Sequence, residues 1–331
     1  MDTLETIAFA RRLIDVDSTT GRERACGEWL ASDLERRGYQ VARQPVADGR
    51  FNVFATLDDP VVVFSTHFDC VSPFFPSDVR ENAVYGRGSC DAKGILAAQL
   101  AAVERMRAQG ERRVGMLFVV GEERGSDGAA AANATPAGSK FLINGEPTDN
   151  HLALATRGIL RLRLTATGRA AHSAAPEQGE SAIDKLIDVL VRMRTMTWPS
   201  DADLGQTFYT TGLIEGGVAP NVISPSASAE VMFRISTSAD AVLAAARALE
   251  PAVAVEEVLR VMPVRLHAVN GIPTKVFPFT TDVPLLDRWG TPLLYGPGSF
   301  LLAHTDREHL PIAEMELAID RYQQLARACL A

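Results

Sequence analysis

Four short apolar runs punctuate the chain: VVVF at 61–64, VGMLFVV at 114–120, KFLIN at 140–144 and TPLLYGPG at 291–298. None alternates with polar residues, so each reads as a strand buried on both faces, which requires a sheet covered on both sides. Between and around them lie stretches of helical periodicity. AKGILAAQLAAVERMRAQG (92–110) is an Ala-rich helix pattern with Asp91 placed as its N-cap. Further helices are expected at 2–15, at 22–38 with Gly38 as the stop, and at 311–330. YQVARQPV and FNVFATL read as additional strands, and DGAAAANATPAG (127–138) as a helix ending near Asn133 or Pro136. This alternation predicts an α/β fold built on a doubly wound, mostly parallel sheet.

The middle of the chain follows another order. Strand 159–166, helix 180–196, strands 207–214 and 228–236, helix 239–249 and strand 252–259 spell β-α-β-β-α-β, the ferredoxin-like arrangement. The expected organisation is therefore one α/β domain formed by 1–158 and 263–331, with an α+β domain, 159–262, inserted into it.

The apolar runs share a second property, which concerns chemistry. The first leads into His67 and Asp69, two residues apart and so on one side of an extended chain. The second leads into Glu122 and Glu123, the third into Glu146, and the fourth, through a glycine loop, into His304. Asp91 opens the helix at 92. In open α/β sheets ligands bind at the carboxyl ends of the strands, so all these groups are expected at one edge. Taken singly, each has an ordinary reading: a core histidine, a solvated Glu-Glu pair, a plain N-cap. Together, so many carboxylates would repel one another and raise each other's pKa. Divalent cations remove that conflict. Two imidazoles and three carboxylates suit a pair of zinc-like ions, with cobalt or manganese as alternatives. The inventory gives His67, Asp91, Glu123, Glu146 and His304 as ligands, Glu122 as general base, and Asp69 as the acceptor that fixes the His67 ring.

The remaining composition narrows the field. Net charge is −8 and Lys/Arg residues do not cluster, which argues against nucleic acid and anionic membranes as partners. No apolar run reaches the ~18 residues of a membrane span. MDTLETIAFARRLI has helical amphipathicity rather than the basic start and apolar core of an export signal, so a cytoplasmic location is expected. Cys26, Cys70, Cys90 and Cys329 form no CxxC pair and read as packed, reduced thiols. GRGSCD at 86–91 lacks the final glycine of GxGxxG and the Lys-Ser/Thr ending of a P-loop, and neither HExxH nor GxSxG occurs.

In order and spacing, STHFDCV, GRGSCDAKG, GEERGSDG, GEPT and GPGSFLLAHT resemble the co-catalytic zinc amidohydrolases and exopeptidases, over roughly residues 5 to 325. This family includes acetylornithine deacetylase, succinyl-diaminopimelate desuccinylase, aminoacylase and the glutamate carboxypeptidases. The resemblance implies that His67 and Glu146 bind one metal, that Glu123 and His304 bind the other, and that Asp91 bridges them, followed by a cis peptide. It implies that Glu122 deprotonates a water held between the metals.

For the inserted domain the resemblance implies a lid that also forms a homodimer. GRAAHSAAPEQGESAI carries His172, which would polarise the scissile carbonyl across the dimer. Arg157 in TRG, Asn221 and Arg234 in NVISPSASAEVMFRI, and Gly298 in GPGSF would contact the substrate. Two departures bear on that pocket: Met232 replaces an aspartate, and the proline after Asn-Val-Ile is displaced to Pro225. The reading that follows is hydrolysis of the linear amide of a small N-acyl amino acid, as in the deacetylases and desuccinylases of amino-acid biosynthesis. The alternatives are a dipeptidase or carboxypeptidase on the same metals, and a non-catalytic metal-dependent amino-acid-binding protein.

Overall fold

The computed structural model describes residues Met1–Ala331. The chain divides into two compact units. The first comprises Met1–Leu154, Leu266–Lys275 and Thr281–Ala331, and the second Ala155–Arg265 with Val276–Thr280. These boundaries lie a few residues outside the 159 and 262 expected from sequence. The cause is a short ladder: Val264 and Arg265 pair antiparallel with Thr156 and Ala155, so the segments entering and leaving the second unit are joined beyond those positions.

The first unit is an α/β fold around a six-stranded sheet, in the order Gln40–Pro45, Phe51–Thr56, Val114–Val119, Val62–His67, Phe141–Asn144, Thr291–Leu294. Its last four strands are mutually parallel and the first two pair antiparallel, so the sheet is mixed but mostly parallel. Every residue of Val62–His67 and of Val114–Val119 is buried. Successive residues serve opposite faces. Val62, Phe64, Met116 and Phe118 pack with the helices Thr3–Ile14, Arg24–Arg36, Lys93–Arg107 and Ile312–Leu330, whereas Val63, Leu117 and Val119 pack with Ala129, Ala132 and Trp289. That two-sided burial is why the runs carry no polar alternation.

Two local features fix the ends of the first helix. Asp2 caps Thr3–Ile14 in a reciprocal capping box with Glu5. At the other end of that helix the buried Lys93 donates from Nζ to the carbonyls of Leu13 (2.9 Å) and Val16 (2.8 Å), satisfying acceptors that the helix terminus leaves open.

The second unit has the ferredoxin-like topology. Its sheet runs Phe208–Gly216, Ser226–Ile235, Gly158–Thr167, Ala254–Val261, all antiparallel, with the helices Ala182–Met193 and Ala239–Arg247 packed on its apolar face. Gly158–Thr167 alternates buried residues with half-buried ones and ends on an exposed threonine, as a strand with one covered face must. No helix of the chain is long and apolar enough to cross a membrane, and all four cysteines are free and buried.

Candidate metal centre

The strand Val62–His67 ends on His67, which is fully enclosed (1% exposed). Its Nδ1 lies 3.0 Å from the main-chain carbonyl of Asp69, so Nδ1 carries a proton and Nε2 is the nitrogen turned toward the neighbouring carboxylates. That Nε2 faces Asp91 Oδ1 at 3.0 Å and Glu146 Oε2 at 4.0 Å. On the far side, Asp91 Oδ2 lies 3.3 Å from His304 Nε2, which also meets Glu123 Oε2 at 2.9 Å. The Asp91 carboxylate thus stands between two donor sets, His67 with Glu146 and His304 with Glu123. Donor atoms of His67, Asp91 and Glu123 lie within 4.8 Å of one another.

Asp91 does not cap the helix as its position in the sequence predicts. The capping position is Ala92, with no side-chain cap bond, and the Asp91–Ala92 peptide is cis. The carboxylate is engaged by the two imidazoles instead. His304 sits at φ 64°, in the left-handed region that is uncommon for residues other than glycine. Backbone strain of this kind persists where the surroundings hold a group in place for a task.

Asp69 has a wider role than ring orientation. Its carboxylate is farther from His67 Nδ1 (3.4 Å) than its own carbonyl is. It accepts from the Thr20 hydroxyl (2.9 Å) and from the main-chain N–H groups of Glu122 (3.1 Å) and Glu123 (3.2 Å). Asp69 therefore fixes the turn that carries Glu122 and Glu123, each bond to the charged group contributing roughly 1.5–3 kcal/mol. The turn begins at Gly121, φ 75°, where a Cβ would fall 2.1 Å from Asp127 Oδ1. Only glycine fits there.

The charges conflict without a cation. Burial raises Glu122, Glu123 and Glu146 above the ordinary carboxylate range, and neighbouring carboxylates raise them further. Burial opposes the charge on His67, but Asp69 and Asp91 outweigh it and lift the imidazole well above its usual value. Hydrogen bonds donated by His304 to Asp91 and Glu123 push its imidazole up to about 10. Burial would raise Asp91 as well, yet the two histidines hold it below the usual range. Glu146 Oε1 is buried with no hydrogen-bond partner. An orphaned carboxylate oxygen beside a mixed imidazole and carboxylate set fits divalent cations. Cys70 and Cys90 stay outside that set; burial pushes Cys70 up to about 12, keeping it a thiol.

A testable consequence follows from the protons this centre holds when metal-free. A cation must displace them, so apparent metal affinity is expected to climb with pH toward about 10, the His304 value. Calorimetric titration in two buffers of different ionisation enthalpy measures the proton release directly. A pH-independent affinity with no release would contradict the assignment.

The other sequence-designated residues fall as follows. Gly298 has its N–H bound to Glu314 (2.9 Å) and its carbonyl to the Asp149 N–H (2.8 Å), at φ 82°. Both of its main-chain groups are engaged within the protein. Within the second unit, Arg157 lies over the Phe208 ring (5.0 Å), and Phe208 pairs with Arg234 across the sheet. Burial lowers both arginines, and neither has an acidic partner. His172 and Asn221 are exposed on adjoining loops, joined by the Ser173 N–H to the Asn221 carbonyl (3.0 Å). The His172 Nδ1 accepts from the Ala174 N–H (3.1 Å). Sequence reasoning did not place Glu308 or Asp282 among the site residues. Both are buried beside the centre, Asp282 Oδ1 lacks a partner, and burial lifts Asp282 to about 7.

The profile of peptidase family M20/M25/M40 matches residues 63–328. The chain belongs to the M20 peptidase family. As an M20 peptidase it is a metal-dependent hydrolase acting on peptide or amide C–N bonds. A protein of Aspergillus clavatus named a probable carboxypeptidase is 34% identical to it, over 98% of this chain and 82% of that one. Among solved structures, the aminopeptidase PepT of Bacillus cereus superposes with a TM-score of 0.84 at 18% identity, covering 100% of each chain. A Bacillus subtilis protein described as a dinuclear metal-binding M20 peptidase gives 0.73 at 15%, covering 98% of this chain and 97% of that one. At those identities the two structures establish the shared fold of the M20 peptidases.

Proposed function

We propose that this M20 peptidase is a carboxypeptidase acting on short peptides through two divalent cations, with zinc the best match to the donors. The observation that carries the metal reading is Asp91, whose two oxygens face His67 at 3.0 Å and His304 at 3.3 Å. The peptide reading draws its support from relatives named probable carboxypeptidase that align with nearly the whole chain. They favour it over deacylation of N-acyl amino acids, the reading preferred from sequence.

In this proposal His67 and Glu146 hold one cation, Glu123 and His304 the other, and Asp91 both. Bound cations supply Lewis acidity and lower the pKa of water toward ~7. Glu122 takes the proton of the attacking water and delivers it to the departing amine. Asp69 keeps Glu122 and Glu123 in register through their N–H groups. Arg157, Asn221 and Arg234 hold the C-terminal carboxylate of the peptide, a task for which the arginine fork is suited and for which two arginines without acidic partners are available. His172 polarises the scissile carbonyl.

The test is a ranking of kcat/KM over N-blocked dipeptides, their C-terminal amides, and N-acetyl and N-succinyl amino acids. N-blocked dipeptides are expected first and the amides last. Arg234→Met is expected to raise KM ~10- to 100-fold, the loss of one charged hydrogen bond. If N-acetyl or N-succinyl amino acids lead, the deacylase reading replaces this one.

The second unit supports a homodimer. Its edge strand Phe208–Gly216 exposes Leu213 and Ile214 (58% and 64%), beside the exposed Ile187 and Val191 of the helix Ala182–Met193. An open apolar edge of this kind is a pairing surface. Sedimentation is expected to give a dimer, and Ile214→Asp a monomer. A monomeric native protein would sink this part of the proposal.

A further inference from the structure

We propose that Glu308 is a positioning residue that sets the Asp91 carboxylate between the two halves of the metal centre. The inference rests on the metal reading above but concerns a residue that binds no metal in it. Glu308 is buried, four positions beyond His304. Its Oε1 accepts three main-chain N–H groups, from Gly88 (2.9 Å), Cys90 (3.2 Å) and Asp91 itself (3.1 Å). Its Oε2 accepts from Arg87 Nη1 (2.5 Å), and its carbonyl accepts the Gly86 N–H (3.3 Å). The loop 86–91 is thus wrapped around one carboxylate.

Arg87 is held in turn. Its Nε donates to the Pro73 carbonyl (3.2 Å), and its guanidinium lies 4.9 Å from the centroid of the Phe75 ring. The loop has little room to settle elsewhere: Gly88 sits at φ +86°, and a Cβ there would fall 2.6 Å from Cys70 Sγ.

Both oxygens of Glu308 are committed to N–H donors, so it is not a ligand. A buried ion pair such as Arg87–Glu308 is weak as a source of stability, because desolvating both charges offsets their attraction. Its geometry accounts for it better. Holding the Asp91 N–H fixes the point from which the bridging side chain reaches His67 with one oxygen and His304 with the other. Glu308 and His304 also share one short segment, so the same carboxylate couples the bridge to a ligand of the second half. A loosened loop would disturb both halves at once, because both use Asp91.

The experiment uses full-length protein stripped of metal and titrated with Co(II), followed by calorimetry and by the visible Co(II) spectrum. Wild type is expected to take up two ions. Glu308→Gln keeps the shape but presents an amide N–H₂ to N–H donors or to Arg87. Both of its Co(II) constants are expected to weaken ~10- to 100-fold, with an altered spectrum, as for other groups that orient metal ligands. Glu308→Asp, which keeps the charge but retracts it, is measured in parallel and decides the matter by the same criterion if the glutamine variant does not fold. Wild-type constants and spectrum in the folded variants, even with a lower melting temperature, reduce Glu308 to a structural role and overturn the proposal. Wild-type protein that takes up no cobalt overturns the metal reading and this proposal with it.

Discussion

Glu122→Ala protein is expected to bind its two metal ions and to lose kcat by ~10²- to 10⁴-fold, the usual contribution of a positioned general base. The carboxylate of Glu122 takes no part in the imidazole contacts that engage Asp91, Glu123 and Glu146. Its place is nevertheless fixed, because its N–H is bound to Asp69 Oδ1 at 3.1 Å. In the metal-free protein burial, reinforced by Asp282 and Glu123, holds its pKa above the ordinary carboxylate range. The base acts only when deprotonated, so kcat/KM should rise with pH through the value Glu122 takes once the cations are bound. This acidic limb should be missing from the residual activity of the variant. Metal content by elemental analysis separates the outcomes. An inactive variant that has lost metal would make Glu122 a ligand, and one working at near the native rate would remove it from the reaction.

The sequence made the sheet and its reactive edge readable for one physical reason. A strand buried on both faces needs a continuous apolar run, and the His or carboxylate that ends such a run stands out against it. Val62–His67 with His67, and Phe141–Asn144 leading to Glu146, are the clearest cases. The three-residue strands Asp78–Arg80, Ala83–Tyr85 and His309–Pro311 carry no such contrast. They are short, and the first, Asp-Val-Arg, is charged at both ends and exposed at every residue, so nothing distinguishes it from a loop. Asp69 was found but its contacts were understated. The period-two rule places it beside His67 only while the chain is a strand, and the strand ends at His67, which frees the Asp69 carboxylate to reach the Glu122–Glu123 turn.

Glu308 illustrates what spacing alone does not reveal. Its partners lie more than two hundred positions away along the chain, and all but Arg87 are main-chain N–H groups, which have no residue identity to read. The Asp91 cap fails for a related reason. A local preference explains the residue in isolation, but two imidazoles brought together by the sheet edge bind its carboxylate more strongly than one turn of helix would.

Asp91→Ala is expected to weaken both metal sites together and to lower activity by more than ~10²-fold, beyond the cost of losing a group that only orients a ligand. The argument is geometric: removing any other ligand leaves one donor set whole, whereas removing Asp91 takes an oxygen from each. Thermal unfolding gives a readout independent of turnover. A ligand present at 100 times its dissociation constant stabilises the folded state by ~2.7 kcal/mol, so zinc should raise the melting temperature of the native protein and leave that of the variant unchanged. The metal-free proteins should differ as well. The two histidines hold the Asp91 pKa below its unfolded value. Its contribution to stability is therefore present above the ordinary carboxylate pKa of ~3.9 and is lost as pH falls through the folded value. Metal-free variant should accordingly melt below metal-free wild type at neutral pH, where His67 and His304 have lost their shared partner, and the gap should close in strong acid. A variant that keeps one ion at wild-type affinity would show that Asp91 serves a single site, and the bridging assignment would fall with it.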